Sequence, residues 1–417
     1  MKQNFYKNID LFFLFIYFFS LPVSHFAAVQ SISGILFLLS FLIKEYNQIK
    51  LSLILRYKNI IYVFLILLTL ALISLFYTPD IKESLKEIKS ELIQSFVVLF
   101  LLIYYIYLSE NEKIKKILYI ILSVLFIHTI INIFIWFQNG GWPYRGGGLL
   151  DSGGGERFGI WATYMLAISI ALLFSKYKKT AMIFLIVSII SIIANQTRAT
   201  FVATLLIFIS TIFLIPNKKI KISILSLVFV LCGLFYTYSS HLPNRYNIKH
   251  TISNFKKVID TPPNKFQNIG MEYSTYTRLA MWKSVILYRI KDPWIPQEYG
   301  RFLYGKSIKL NFKNEPKNLP LHIYAQTHNE FIGMLYSLGV VGLITFLYFL
   351  YFQLKISYIL SKIDSNSIYQ IFGIFTFLGT IGFIGSMMFG SFFGDSEAKF
   401  FYPLYGMILG IYLKIKK

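Results

Sequence analysis

The chain has 417 residues, of which 56% are hydrophobic and only 14% are charged. Soluble domains carry about 25% charged residues, so the composition excludes an ordinary soluble protein. The net charge of +22 would suggest nucleic acid in a soluble chain. In a membrane protein, loop lysines set topology and meet anionic lipid, so we predict no nucleic-acid partner. Cys232 is the single cysteine, which excludes an internal disulfide and a cysteine metal cluster.

Apolar segments recur along the whole chain, and each is long enough, or nearly so, to cross about 30 Å of hydrocarbon. This pattern predicts an all-α polytopic membrane protein rather than a β-barrel. The first segment lacks a small-residue cleavage site, so we interpret it as a membrane helix and not as a signal peptide. The twelve predicted spans are approximately 9–24, 26–43, 60–77, 91–108, 117–138, 160–175, 181–195, 199–215, 222–238, 330–352, 368–389 and 399–413.

The basic residues predict the orientation of these spans. With both termini in the cytoplasm, the inside segments carry twenty lysines and arginines, and the short outside loops carry seven. This bias follows the positive-inside rule. The predicted organisation is therefore nine transmembrane helices over 1–238, a large periplasmic loop over 239–329 that carries part of the active site, and three transmembrane helices over 330–417.

The large loop is strongly basic, with fourteen lysines and arginines against five acids. Its sequence predicts an amphipathic helix near 277–291, with Lys283 and Arg289 off the apolar stripe. That pattern is typical of a helix lying on the membrane surface or packed against the bundle. The stripe consists of Leu279, Trp282, Ile286 and Ile290.

A glycine-rich loop covers Gly140–Gly159. No Gly-Lys-Ser/Thr follows it, so it is not a Walker phosphate loop. Two interpretations stand side by side. The loop is either a flexible connection or a backbone-rich contact for an anion or glycan, carrying Arg145 and Arg157.

Charged residues are nearly absent from the predicted spans, whereas proton-coupled transporters keep such residues at mid-membrane. His128 and Asn132 come closest, one turn apart in the fifth span. We predict that they hydrogen-bond each other or a neighbouring helix. Any chemistry is therefore expected at the outer face.

Two outer arginines are candidate anion ligands. Arg198 lies in the very short turn Ala194–Thr200, where it either snorkels to lipid headgroups or binds a phosphate bidentately. Arg278 opens the amphipathic helix one turn before Trp282. It is either a solvated helix-start residue or a second anion clamp.

His328 lies where the large loop meets the tenth span, followed by Asn329 and Glu330 as cap-region residues. It is either part of a polar helix start or a general base, because imidazole titrates near neutral pH. No paired carboxylate motif lies at metal-ligand spacing from the histidines, so we predict no metal site. No Asp-x-Asp nucleotide-sugar signature is present, which argues against a cytoplasmic glycosyltransferase that uses nucleotide-sugars. The histidines are residues 25, 128, 241, 250, 322 and 328.

Three motifs in one order resemble the O-antigen ligase superfamily, which also contains O-antigen polymerases and oligosaccharide-to-protein transferases. They are Thr197-Arg198-Ala199, Arg278-x-x-x-Trp282 and His328-Asn329, the last followed by Gly339 and Gly342. The chain departs from the family pattern at two places. Ser337 stands where the family often has Glu, and the expected Pro-x-x-Gly-x-Gly is reduced to Pro293–Gly300.

The resemblance implies a GT-C-like enzyme in the bacterial inner membrane with its active site facing the periplasm. The implied reaction transfers a glycan from undecaprenyl diphosphate to lipid A–core with inversion and without cofactor, metal or nucleotide. His328 is implied as the base, and Arg198 and Arg278 as diphosphate ligands. The candidate secondary contacts are Arg145, Arg157, Trp282 and Asn329.

Other functions stay open at this point. A polymerase would use a second carrier-linked glycan as acceptor, and a third family activity would join the glycan to an exported protein. A lipid-linked glycan flippase predicts a charged central cavity and short loops, and the sequence has neither. A structural or receptor membrane protein would not require this polar triad on one face.

Overall fold

The computed structural model describes residues 2–45, 55–150, 155–215, 273–300, 302–311, 326–363, 367–393 and 396–416, with a few isolated positions elsewhere. In these ranges the regular elements are all helices. They are α1 (Lys2–Ser20), α2 (Ala27–Glu45), α3 (Lys58–Ile73), α4 (Ile81–Glu87), α5 (Gln94–Leu108), α6 (Asn111–Gln138), α7 (Gly155–Leu173), α8 (Lys178–Asn195), α9 (Arg198–Leu214), α10 (Tyr273–Lys291), α11 (Tyr304–Asn311), α12 (Glu330–Ser361), α13 (Ile368–Met387) and α14 (Ser396–Ile415).

Helices cover eleven of the twelve predicted spans, and the span predicted over 222–238 lies largely outside the described residues. Within the described ranges, seven helical segments are long and apolar enough to cross a membrane. The protein is therefore an all-helical, multi-pass membrane protein, and the count of twelve spans stays a prediction. The seven segments are Ala27–Glu45, Leu55–Phe76, Ile81–Leu108, Asn111–Gln138, Lys178–Asn195, Glu330–Ser361 and Ile368–Met387.

The first of two compact units comprises Met1–Phe64, Ser90–Ser210 and Leu347–Lys417. Helices α5 and α14 pack closely against each other in this unit. A Cβ atom added at Gly406 would lie 2.4 Å from the carbonyl oxygen of Leu99, and one added at Gly410 would lie 2.7 Å from that of Ile103. Glycine at these two positions is required for the close approach, as is common between membrane helices.

Buried polar groups in this unit find partners on neighbouring helices. The carboxylate of Asp10 is fully buried and lies 3.1 Å from Lys44 Nζ and 2.6 Å from Lys113 Nζ. Tyr105 also donates a 2.8 Å hydrogen bond to it. Because a buried carboxylate without partners is costly, this network ties α1, α2, α5 and α6 together at one end.

The prediction for His128 and Asn132 is confirmed. His128 Nε2 lies 2.9 Å from the carbonyl oxygen of Phe19, and Asn132 donates a 2.9 Å hydrogen bond to the hydroxyl of Ser191. Both residues are buried. They therefore join α6 to α1 and to α8.

The second unit comprises Leu65–Lys89 and Thr211–Phe346. Helices α10 and α11 pack with the start of α12 around one apolar cluster. Lys306 on α11 also forms a 2.9 Å ion pair with Asp80, the N-cap of α4. The buried members of the cluster are Met281, Val285, Tyr304, Ile308 and Tyr336.

The amphipathic helix is present as α10, and it packs on the cluster mainly through residues beside the apolar stripe. Ile286 and Ile290 on that stripe are exposed, whereas Met281 and Val285 face the cluster. Arg289, placed off the stripe, is 3% exposed. Its guanidinium donates hydrogen bonds to the carbonyl oxygens of Asp292, Ile295 and Tyr336, which makes a buried cation possible on the packed side.

Helix α12 is interrupted at Gly339, where φ is 70° and ψ is −170°. At the interruption, two backbone groups of α12 form hydrogen bonds with the loop that follows α10. Val340 donates a 2.9 Å hydrogen bond to the Pro293 carbonyl, and the Ser337 carbonyl accepts one of 2.8 Å from Gln297. The segment that departs from the family pattern is therefore bound to the helix at its break.

Candidate functional site

Arg198 begins α9 immediately after a two-residue turn, Gln196–Thr197, as its motif predicted. Gln196 ends α8 in the left-handed region with φ 55°, which reverses the chain between two apolar helices. The Arg198 side chain is exposed. A positively charged guanidinium therefore lies at one end of the first unit, at the N-terminus of a helix, where backbone N–H groups also favour anions.

Asn195 organises this turn. Its Nδ2 donates to the carbonyl oxygens of Gly146, at 2.9 Å, and Gly155, at 2.6 Å. Its Oδ1 accepts hydrogen bonds from the hydroxyls of Thr197, at 2.8 Å, and Thr200, at 2.7 Å. Asn195 is fully buried, and the four bonds use its full amide capacity.

The described part of the glycine-rich loop is bound to the same turn. Gly146 donates a 2.9 Å hydrogen bond to the Ala194 carbonyl, and Gln196 Nε2 donates one of 2.9 Å to the Tyr144 carbonyl. Arg145 lies between these two anchored residues, and its side chain is exposed. The backbone on both sides of Arg145 is therefore anchored beside the turn that carries Arg198, and the role of this loop as an anion or glycan contact stays a prediction.

Arg157 has a different environment. Its Nε lies 3.3 Å from Oε1 of Glu397, which is fully buried, and its Nη2 donates a 2.7 Å hydrogen bond to the Ser396 hydroxyl. Trp161 Nε1 donates to the same Glu397 oxygen at 3.3 Å. Arg157 therefore neutralises a buried carboxylate and joins α7 to α14. Its role as a secondary contact stays a prediction.

The second unit holds the other candidates, Arg278, Trp282, His328 and Asn329. The indole Nε1 of Trp282 donates a 2.9 Å hydrogen bond to the carbonyl oxygen of Thr327. Arg278 lies one helical turn before Trp282, and His328 directly follows Thr327. This bond therefore links the helix that carries the arginine to the residue adjoining the histidine.

His328 has a left-handed backbone, with φ 50°, and its side chain is half-buried. Histidine is one of the few residues enriched in this region, which is otherwise uncommon for side chains larger than glycine. Residues in such conformations persist when the surrounding structure fixes them. The next residues supply that fixation.

Asn329 caps α12, which confirms its predicted position at the helix start. Its Oδ1 accepts a 3.0 Å hydrogen bond from Ile332 N, and its carbonyl oxygen accepts bonds from the Thr327 hydroxyl, at 2.8 Å, and from Gly333 N, at 2.8 Å. The helix start is thus fixed on both sides of His328. The imidazole is presented from an ordered position rather than from a loose loop end.

Glu298 is a further ionisable group in this unit. It is fully buried, and among the described residues neither carboxyl oxygen has a hydrogen bond of good geometry, although the Ser307 hydroxyl lies close enough to influence it. Burial raises its pKa to about 8, against the opposing influence of the Ser307 hydroxyl and the Arg289 charge. Its backbone N–H lies 3.4 Å from the Ser337 carbonyl oxygen, beside the interruption of α12.

Sequence reasoning did not single out Asn195 or Glu298. A signal for Asn195 was present, because an asparagine followed by Thr197 and Thr200 is typical of a turn held by side-chain hydrogen bonds. No local signal predicts the burial of Glu298, since the loop around it reads as polar and aromatic. Its environment is formed by α10, α11 and α12, which are distant in sequence.

These observations define an all-helical, multi-pass membrane protein. In its described residues Arg198 begins α9 and His328 lies just before α12, whereas Arg278 lies inside α10, which begins at Tyr273, and does not open the helix as predicted. Residues 182–347 match the family model described as O-antigen ligase, and this segment contains Arg198, Arg278 and His328. The match confirms the resemblance to the superfamily of O-antigen ligases and polymerases. Members of this family are glycosyltransferase-like enzymes that act on lipid-linked glycans. No curated protein matches the chain.

Proposed function

We propose that this protein is an O-antigen ligase. It transfers a glycan from undecaprenyl diphosphate to lipid A–core at the periplasmic face of the bacterial inner membrane. His328 is the general base, and Arg198 and Arg278 bind the diphosphate. Arg145, Arg157, Trp282 and Asn329 are secondary contacts. The reaction uses no metal and no nucleotide.

The observation that carries this proposal is the hydrogen bond from Trp282 to Thr327 within the matched segment. It couples two of the three motifs, one supplying a cation and the other an imidazole. General base catalysis requires an oriented acceptor of the proton, and the Asn329 cap with the left-handed backbone of His328 supports such orientation.

The proposed step is a single displacement at the anomeric carbon. The acceptor hydroxyl attacks that carbon while its proton passes to the imidazole of His328. The bond between the anomeric carbon and the diphosphate oxygen breaks, and its electron pair leaves with the diphosphate. Attack opposite the leaving group inverts the anomeric configuration. Arginine guanidinium groups stabilise the developing negative charge, in the role that a divalent cation has in other glycosyltransferases.

Two further activities of the superfamily give different products and serve as alternatives in the test. A polymerase would extend a carrier-linked glycan with a second carrier-linked glycan. A protein O-glycosyltransferase would place the glycan on an exported protein. A flippase would move the lipid-linked glycan without changing its bonds.

The test is lipopolysaccharide profiling in a strain that lacks the gene. If the protein is a ligase, this strain should contain core without attached glycan and should accumulate long carrier-linked glycan. Core carrying a single repeat unit would indicate a polymerase instead. Loss of glycan from an exported protein, with normal lipopolysaccharide, would indicate the protein transferase.

The role of His328 is tested by complementation with His328→Asn. Asparagine tolerates the left-handed backbone, so the substitution removes the base while preserving the turn. We expect ligation to fall by about 100-fold or more, since general base catalysis contributes at least that much. His25→Asn is the matched control, because His25 is an exposed histidine with φ 64°. Full rescue by His328→Asn would refute the base assignment.

A further inference from the structure

A groove of about 290 Å³ lies in the first unit, between α1, α2, α5 and α14. It involves none of the arginines or histidines of the proposed active site. Its walls are mostly apolar along the helices and include Leu14, Phe37, Val98 and Leu102. Hydrocarbon is the ligand that such walls accommodate.

One end of the groove is polar and ordered. Lys399 Nζ lies 3.4 Å from Oε1 of Gln30, and Gln30 Nε2 donates a 3.1 Å hydrogen bond to the Ser20 carbonyl. Tyr17 lies within about one turn of the C-terminus of α1. Gln30 and Lys399 lie within about one turn of the N-termini of α2 and α14. The groove is therefore polar where these helices end and apolar along their length, which matches the headgroup and the chain of an amphiphile.

Two helix irregularities shape the walls. Pro403 lies inside α14 and has no N–H, so the carbonyl of Lys399 cannot receive its usual helical hydrogen bond. The Tyr17 hydroxyl donates to that carbonyl instead, at 3.1 Å. The π-helical turn Ile88–Ile93, which precedes α5, also contributes Ser90 and Ile93 to the lining. Such turns are frequent at functional sites.

The charge of the groove matches one class of lipid. Among the described residues that line it, Lys399 is the one charged side chain, and no carboxylate is present. A single ammonium matches the single negative charge of a phosphodiester, whereas a polyprenyl diphosphate carries more charge and requires more cations. We propose that this groove binds an anionic phospholipid, with the headgroup phosphate at Lys399 and an acyl chain along the apolar walls.

Native mass spectrometry of the full chain, with phosphatidylglycerol or phosphatidylethanolamine added, tests the proposal. The wild-type protein is expected to retain phosphatidylglycerol preferentially. Lys399→Gln is expected to lower that retention about fivefold to tenfold, the contribution of one basic residue near a charged headgroup. Lys82→Gln, which removes an exposed lysine outside the groove, is expected to leave it unchanged.

A second variant tests the hydrocarbon part independently of charge. A Cβ atom at Gly34 would lie 3.4 Å from the Tyr17 ring, so Gly34→Leu places a side chain inside the groove while preserving Lys399. It is expected to reduce retention of phosphatidylglycerol to a similar extent.

The wild-type comparison is decisive even if a variant fails to fold. Equal retention of the two phospholipids by the wild-type protein would overturn the assignment, as would unchanged retention by folded Lys399→Gln. Displacement of phosphatidylglycerol by undecaprenyl diphosphate in the wild-type protein would also overturn it, because the groove would then hold a donor tail.

Discussion

Trp282 and Thr327 are separated by 45 residues, yet the indole of one donates a 2.9 Å hydrogen bond to the carbonyl of the other. Their neighbours are the candidate catalytic groups, Arg278 one turn before the tryptophan and His328 directly after the threonine. The bond therefore fixes how the two motifs of the large loop are arranged.

Replacing Trp282 with phenylalanine should preserve most of the packing in this region and remove the bond. We expect glycan transfer to fall roughly tenfold or more, because small displacements of catalytic groups have large effects on rate. Protein abundance should change little, since one hydrogen bond contributes about 1 kcal/mol to stability. Lipopolysaccharide profiles with immunoblots of the membranes measure both quantities. Trp294→Phe is the control, because Trp294 is exposed; equal activity of the two variants would contradict the prediction.

Arg198 provides the second prediction. If it binds the diphosphate, Arg198→Ala should reduce transfer about 100-fold to 1,000-fold, the usual cost of removing one group that stabilises developing charge. Arg198→Lys should recover part of the activity, because lysine retains the charge without the bidentate geometry. Arg56→Ala removes another exposed arginine from the first unit and should be neutral. Wild-type activity of Arg198→Ala would contradict the diphosphate-binding role and favour the interpretation that Arg198 snorkels to lipid headgroups.

The turn before Arg198 is sensitive to crowding at Gly159. A Cβ atom there would lie 1.8 Å from the Thr200 hydroxyl oxygen and 3.0 Å from Asn195 Oδ1. Gly159→Ala should therefore lower stability by about 1–3 kcal/mol, as overpacking does. Thermal unfolding in detergent measures the loss. Adding Thr200→Ala removes the nearest atom and should recover part of it relative to Thr200→Ala alone. An additive double variant would exclude this contact as the cause.

Much of this architecture could be predicted from the sequence because membrane helices are specified locally. Apolar length sets each span, and the eleven predicted spans within the described residues coincide with helices. The short turn before Arg198 and the cap at Asn329 could also be predicted from the sequence, since each depends on a few adjacent residues.

Other features depend on contacts that no local pattern encodes. The apolar stripe of α10 left open whether the helix lies on the membrane surface or packs against the bundle. In the structure α11 and α12 pack on Met281 and Val285, whereas Ile286 and Ile290 on the stripe are exposed. Arg289 lies off the apolar stripe, yet it is buried and donates hydrogen bonds to three carbonyl oxygens of the following loop and of α12. Tertiary partners decide the face that a short amphipathic helix buries.

Gly339 is predicted to be essential for the interruption of α12. Its φ of 70° with ψ of −170° favours glycine strongly, and a Cβ atom would lie 2.7 Å from the Pro293 carbonyl oxygen. Gly339→Ala should lower stability by about 2–4 kcal/mol and disrupt the pairing with the 293–297 segment. Ser337→Ala, which changes a neighbouring side chain but no backbone group, is the control. Unfolding midpoints that agree within error would refute this account.

Glu298 should give the second unit a pH-dependent stability. Its pKa is raised by burial to about 8, above the ordinary value of 4.5, so the folded state holds a proton that the unfolded state has released between these values. Stability is therefore fully present below about pH 4.5 and decreases as the pH rises towards about 8. The groups around the carboxyl are Arg289, Tyr304, Ser307 and Tyr336.

Glu298→Gln tests this dependence because an amide stays neutral at every pH. The thermal unfolding midpoint of the wild-type protein should decrease from about pH 5 to about pH 8, and that of the variant should decrease less. The gap between the two should widen over that interval and then remain constant, since both states of the wild type are ionised above it. Glu110→Gln, at an exposed glutamate, should follow the wild-type curve. Parallel curves for wild type and Glu298→Gln would show that Glu298 ionises without cost in the folded protein, against the burial argument.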